Sequence, residues 1–190
     1  RNYFVNGTGQ AGGHQVDCLE DVGALVQNDQ HGYWEMVNGY CMPRSQGSIA
    51  QLGRRLTEEA SLGDAARARL RVGVHWSTEV CGGSHRVCQV FCSALPIGYA
   101  RDATERQWQP FARAVLDSTY ESTLTIAAIL AAKRRKRVTV FLTQVGGGVF
   151  KNNPKWINDA IGRALRAHAG APLDVRLVHF KELPNRLDPC

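Results

Sequence analysis

The segment 138-VTVFLTQVGGGVFKNNPKWINDAI-161 limits the fold more than any other part of this chain. Its first six residues, 138-VTVFLT-143, are rich in β-branched and aromatic side chains and read as a strand. Asn153 is a natural N-cap and Pro154 a natural first helical residue. Ile157, Ala160, Ile161, Ala164 and Leu165 then recur at helical spacing, which predicts a helix to about His168. Between strand and helix stand three consecutive glycines, more than a connection needs. Without β-carbons, successive N–H groups can turn inward as an anion nest, and the helix start adds partial positive charge. The segment therefore predicts phosphate or diphosphate binding at residues 146–150.

The flanking elements extend this unit. A helix over about 108–133 carries Ala112, Val115, Leu116, Thr119, Thr123, Ile126, Ala127 and Leu130 on one face. Strands are expected at 71–78 and 86–95, with Gly82-Gly83 turning them into a hairpin, and at 174–180 after the breakers Gly170 and Pro172. Strand, helix, strand, helix, strand over 86–180 is the order of βαβ units, whose strands run parallel with right-handed crossovers. The expected fold is one three-layer α/β domain over 1–190, with a mixed, mostly parallel central sheet flanked by helices. Residues 1–32 read as an N-terminal extension or an extra βα unit: a short strand 3-YFV-5, a glycine-rich loop 6–17, and a helix 18–28 built on Leu19, Val22, Leu25 and Val26. A strand is expected at 33–38, then a loop over 39–47, where Pro43 bars regular structure. Ser48 caps a helix on Ile49, Leu52 and Leu56 that fades near Gly63, a further short helix covers 64–70, and 181–190 reads as a tail.

Composition excludes several classes. No run of 18 apolar residues exists, so nothing in the sequence reads as a membrane span. The chain opens on Arg1 and shows no signal-peptide pattern, so it reads as an excised domain of a longer protein, while cysteine spacings that fit neither disulfides nor zinc read as an intracellular, cytoplasmic chain. The formal charge of +6 favours an anionic partner. Its densest run, 133-KRRKR-137, ends a helix, where cations complement the dipole, and this reading outweighs a nucleic-acid one. Cys88 and Cys92 lie four residues apart on one strand, roughly 13 Å, too far for a bond or a shared metal. The six cysteines read as reduced thiols, with Cys88 and Cys92 buried and no metal site. His14 and His31 are loop histidines without a partner. His31 and Glu35 do not form the H-x-E of a zinc deaminase. The glycine loop lacks the G-K-[ST] of a P-loop, and the strand after it ends in His179-Phe180 rather than the acid of a dinucleotide fold.

Ligands of open α/β sheets sit beyond the carboxyl ends of the strands, where 95–103, 144–153 and Phe180 converge. The order over about 71–180 resembles a macro domain, the fold that binds ADP-ribose. Leu116, Tyr120 and Leu124, then 138-VTVFLT-143, then Gly148, Val149, Phe150 and Pro154 are similar to that family's second half. Its first phosphate loop is matched in order by 37-VNGYCMPRSQGSIAQL-52, and 5-VNGTGQAGGHQVD-17 is a rival placement. The resemblance implies that Gly146, Gly147, Gly148, Val149 and Phe150 wrap the diphosphate and distal ribose. It implies that Asn38 bonds a distal-ribose hydroxyl, that Gly47, Ser48 and Ile49 meet the other side of the diphosphate, and that Phe180 stacks on adenine. The runs 91-FCSALPIGYA-100 and 140-VFLTQVGGGVF-150 look like those of bacterial-effector macro domains that remove ADP-ribose from ubiquitin, and of their eukaryotic relatives. The implied activity is hydrolysis of ADP-ribose from a modified side chain, arginine-linked in that branch, with a non-catalytic ADP-ribose reader and a basic nucleotide- or RNA-binding domain as alternatives. The implied partner is ADP-ribose or an ADP-ribosylated protein such as ubiquitin, with no cofactor and a monomeric chain. Cleavage at the anomeric carbon needs a carboxylate. Asp102 and Glu105, before the long helix, and Asp17, closing the first glycine loop, are the candidates, each also readable as a helix-start acid.

Overall fold

The computed structural model describes residues 16–100 and 103–179 in full, together with the backbone of two short strands, β1 (Phe4–Val5) and β2 (Thr8–Gly9). The elements that follow are α1 (Glu20–Val26), α2 (Asn28–His31), β3 (Trp34–Val37), β4 (Tyr40–Pro43), α3 (Ser48–Glu58) and α4 (Ala60–Arg69). Then come β5 (Gly73–Glu79), β6 (Arg86–Phe91), a 3₁₀ turn (Ile97–Tyr99), α5 (Glu105–Arg134), β7 (Val138–Thr143), α6 (Pro154–Ala167) and β8 (Leu173–Val178). Asp102, Phe180, His14 and the tail 181–190 lie outside the described residues.

Helix α5 is the spine of the core. Its 30 residues start at a capping box, in which Thr104 accepts from the Gln107 N–H and the Gln107 side chain accepts from the Thr104 N–H. Trp108, Phe111, Ala112, Leu116, Tyr120 and Leu124 on its buried face are all at most 1% exposed. Ile49, Leu52 and Leu56 of α3 pack on one flank, and Ile157, Ala160, Ile161 and Ala164 of α6 on the other, in a single apolar cluster that runs from Leu19 to Ala164. The close approach of α3 to α5 rests on Gly53, where an added β-carbon would stand 2.8 Å from the Gln107 carbonyl oxygen.

The strands depart from the expected sheet. Among the described residues they form four separate two-stranded ladders, three antiparallel and one parallel, rather than one central, mostly parallel sheet. The β5–β6 hairpin forms as expected, with a register shift between His75 and Thr78. The pair β7–β8 is the parallel product of the β7–α6–β8 unit, in register from Val138 opposite Leu173 to Thr143 opposite Val178. Val140 and Leu142 are buried while Phe141 between them is 65% exposed, so one face of this pair is covered and the other is open.

Local corrections have local causes. Residues 39–47 are not all loop: Asn38 and Gly39, with φ of 52° and 81°, make a two-residue turn joining β3 to β4. Pro43 is tolerated because it closes the end of β4, opposite Trp34. Gly47, with φ 82°, is the N-cap of α3, and Ser48 is its first residue and makes no capping bond. Helix α4 starts at Ala60 and carries Gly63 within it. The described cysteines are all free thiols, but Cys88 and Cys92 are half-buried, and Cys41 is the buried one.

Candidate functional site

The glycine loop is held by its neighbours. The Tyr120 hydroxyl, carried up from α5, donates to the Thr143 carbonyl at 2.8 Å and accepts from the Val145 N–H at 2.9 Å, fixing where the strand ends. Gly146 has φ 81°, and a β-carbon there would stand 2.4 Å from Cβ of Ala94 and 2.8 Å from Nδ2 of Asn152. Only glycine fits that position. The buried Asn152 amide donates to the Leu95 carbonyl at 2.8 Å, leaving its Oδ1 without a partner among the described residues. Gly98 donates to the Phe150 carbonyl at 2.9 Å, and its bare Cα lets the Val149 carbonyl approach. The loop is thus clamped to the segment that follows β6.

Inside the loop, Gly147 N–H donates to Gln144, Lys151 N–H to Gly148, and Asn152 N–H to Gly146. The N–H groups of Gly146, Gly148, Val149 and Phe150 make no hydrogen bond among the described residues. Three of these four are consecutive, and Gly147, Gly148 and Val149 are exposed. A β-carbon added at Gly148 would meet nothing within 4 Å, so the amide row there is open to solvent. Directly after the loop, α6 begins with Asn153 accepting from the Lys155 N–H at 2.8 Å and Pro154 in the first turn.

Three rings gather beside this row. Tyr40, Tyr99 and Phe150 meet edge to face, with centroid separations of 5.5 to 5.9 Å. Tyr40 and Tyr99 keep 40% and 46% of their surface, so the trio presents aromatic area to solvent rather than filling the core. Tyr40 also borders a cavity of about 260 Å³, whose wall includes Asp17, Cys41, Arg71, Ala94 and Leu95. Ala94 and Leu95 are the residues that brace Gly146 and Asn152, so cavity and glycine loop share a wall.

The sequence candidates fall into three groups. Gly146, Gly147, Gly148, Val149 and Phe150 form the loop itself. Glu105 is brought to it: its carboxylate accepts from Asn153 Nδ2 at 2.6 Å, at the first turn of α5. Asp17 accepts from the Leu19 N–H at 2.8 Å and borders the cavity. The third group has structural duties. Asn38 is an exposed turn residue, Gly47 caps α3, and Ile49 is wholly buried. The buried Ser48 hydroxyl lies 2.8 Å from the carbonyls of both Tyr33 and Ser45. Sequence reasoning missed Tyr40 and Tyr99 as site residues, although both lie within the runs 37–52 and 91–100, because nothing local shows that their rings meet Phe150.

Burial pushes the Cys92 thiol up to about 11 and the Cys41 thiol well above the usual range, so neither carries a thiolate near neutral pH. Among the described residues no group of three or more His, Cys, Asp or Glu could hold a metal ion, and no helix is long and apolar enough to cross a membrane. No family model, curated protein or solved structure matches the chain.

Proposed function

We propose that this chain binds a nucleoside diphosphate ester of the ADP-ribose type and hydrolyses ADP-ribose from a modified protein side chain. The observation that carries the binding is the open row of N–H groups at Gly148, Val149 and Phe150, held next to an exposed aromatic trio and the start of α6. Such a row supplies donors to phosphate oxygens without spending a side chain, and the helix start adds favourable potential. The rings of Phe150, Tyr40 and Tyr99 offer a face to a ribose. The cavity behind Tyr40, mostly apolar with one carboxylate and one guanidinium in its wall, suits a heterocyclic base. The resemblance to macro domains points to the same ligand.

For hydrolysis, the described carboxylate nearest the loop through its bonding is Glu105, oriented by the Asn153 amide. It would take a proton from the water that attacks the anomeric carbon as the bond to the side chain breaks. One observation favours a reader that binds without turnover: Glu105 and Asp17 both already hold structural hydrogen bonds.

Gly148→Glu tests the site. An added β-carbon there meets nothing within 4 Å and the site faces solvent, so the fold should be unchanged, while a carboxylate beside the amide row should weaken ADP-ribose binding at least tenfold. Calorimetry with ADP-ribose reads the affinity, and unaltered binding by a folded variant would refute the assignment. Glu105→Gln separates the two readings: loss of ADP-ribose release with binding retained marks the hydrolase, and absence of release by the parent chain marks the reader.

A further inference from the structure

A groove of about 390 Å³ opens where β6, the second half of α5 and β7 come together. Its floor is apolar: Cys88 and Val90 of β6, Ile126 and Leu130 of α5, and Val140 of β7. Its rim is cationic and aromatic, with Arg86 and Arg134 exposed beside it and Phe141 keeping 65% of its surface. Arg86 opens β6, Arg134 ends α5 and Val138 opens β7, so the cationic end of the groove lies at the amino ends of both strands. The glycine loop follows the carboxyl end of β7.

The run 133-KRRKR-137 stands at this cationic end with every residue exposed. Interaction with the helix dipole falls off within the last turn, where Lys133 and Arg134 lie, and gives no reason for Arg135 and Lys136. Arg86 is paired with Glu79 at 2.8 Å, and Arg137 donates to the Leu173 carbonyl at 2.6 Å. Lys133, Arg134, Arg135 and Lys136 have no carboxylate within ion-pair distance among the described residues. Adjacent cations without counter-charges repel one another, so an anion that neutralises them is favoured. Lys133 lies over the Trp76 ring at 5.3 Å, and Trp76 still keeps 45% of its surface.

We propose that this groove and the basic run beside it bind single-stranded nucleic acid, RNA and DNA alike. Phosphates meet residues 133–136, and base faces meet Phe141, Trp76 and the apolar floor. Uncompensated cations interleaved with exposed rings match the two chemical parts of such a strand. A membrane surface or an acidic peptide would use the charges and leave the rings idle, and a duplex keeps its base faces inside its own stack. The site is separate from the glycine loop, so it stands whether or not the chain binds ADP-ribose.

Fluorescence anisotropy of the full chain with a labelled, unstructured RNA of about 12 nucleotides tests this. Affinity should fall linearly with salt on logarithmic axes, with a slope of about −3 for roughly four neutralised phosphates. Replacing Lys133, Arg135 and Lys136 by Gln should weaken binding at least tenfold and make the slope shallower by about 2. Phe141→Ala removes no charge and lies at an exposed position, so it should weaken binding about fivefold or more with the slope unchanged. DNA of the same sequence should bind within about threefold of the RNA, because neither contact reads the sugar. Circular dichroism checks that each variant is folded. No binding by the parent chain, unaltered affinity in folded Phe141→Ala, or displacement of the strand by ADP-ribose would overturn the proposal. So would equally tight binding of a duplex of the same length, or of vesicles of phosphatidylserine and phosphatidylcholine, since charge alone would then account for the surface.

Discussion

The three glycines that open onto α6 have different reasons to be glycine. Gly146 adopts a left-handed φ and sits against Ala94 and Asn152, so its lack of a β-carbon is a packing requirement. A β-carbon on Gly148 would meet nothing within 4 Å, and the amide row beside it is uncovered. Gly146→Ala should therefore destabilise the fold by about 2 kcal/mol or more, from backbone strain and overpacking together. Gly148→Ala should leave the melting temperature within a degree or two, and denaturant titrations of the two variants make the comparison. The cysteines divide in the same way. Cys81 is exposed, whereas Cys41 is buried with its thiol pushed up by desolvation and by the nearby Asp17 carboxylate. Because only the thiolate reacts, iodoacetamide at pH 8 should label Cys81 early, and Cys41 last among the described cysteines; mass mapping of a time course shows the order.

At the scale of elements, α5 organises its neighbours through close contacts as much as through apolar area. Gly53 lets α3 come within contact of the Gln107 backbone and Pro110. Alanine is the better helix former by about 1 kcal/mol, so an isolated α3 would gain from Gly53→Ala. In the protein the new methyl meets a carbonyl oxygen at 2.8 Å, which belongs to backbone and cannot swing aside. The net effect should be a loss of about 1 to 3 kcal/mol, measurable by chemical denaturation. The elements legible in the sequence are those with signals inside a few residues. Strand β7 and the start of α6 fall where the pattern 138–154 puts them, because β-branched residues, an Asn cap and an N1 proline act locally. The Asn38-Gly39 hairpin was equally local and was hidden by Pro43, which matters in a strand interior and not at its end.

Across the whole molecule, charge and site stand apart. The cations at 133–137 end α5 and precede β7, while the glycine loop follows β7, about 20 Å away along the strand. Lys133 lies over the Trp76 ring at 5.3 Å, on that far side. With a screening length of about 8 Å at physiological salt, replacing Lys133, Arg135 and Lys136 by Gln should change ADP-ribose affinity less than about twofold, as calorimetry would record. The sequence by itself determined the strand–glycine–helix unit, the Asn153 cap of α6 and the parallel pair β7–β8, since each follows from backbone preference and periodicity over a short span. Only the tertiary structure decided that Tyr40, Tyr99 and Phe150 meet, that Tyr120 pins the loop, and that Ala94 and Leu95 brace Gly146 and Asn152. Those outcomes join residues tens of positions apart, and no local preference encodes which distant surfaces close on one another.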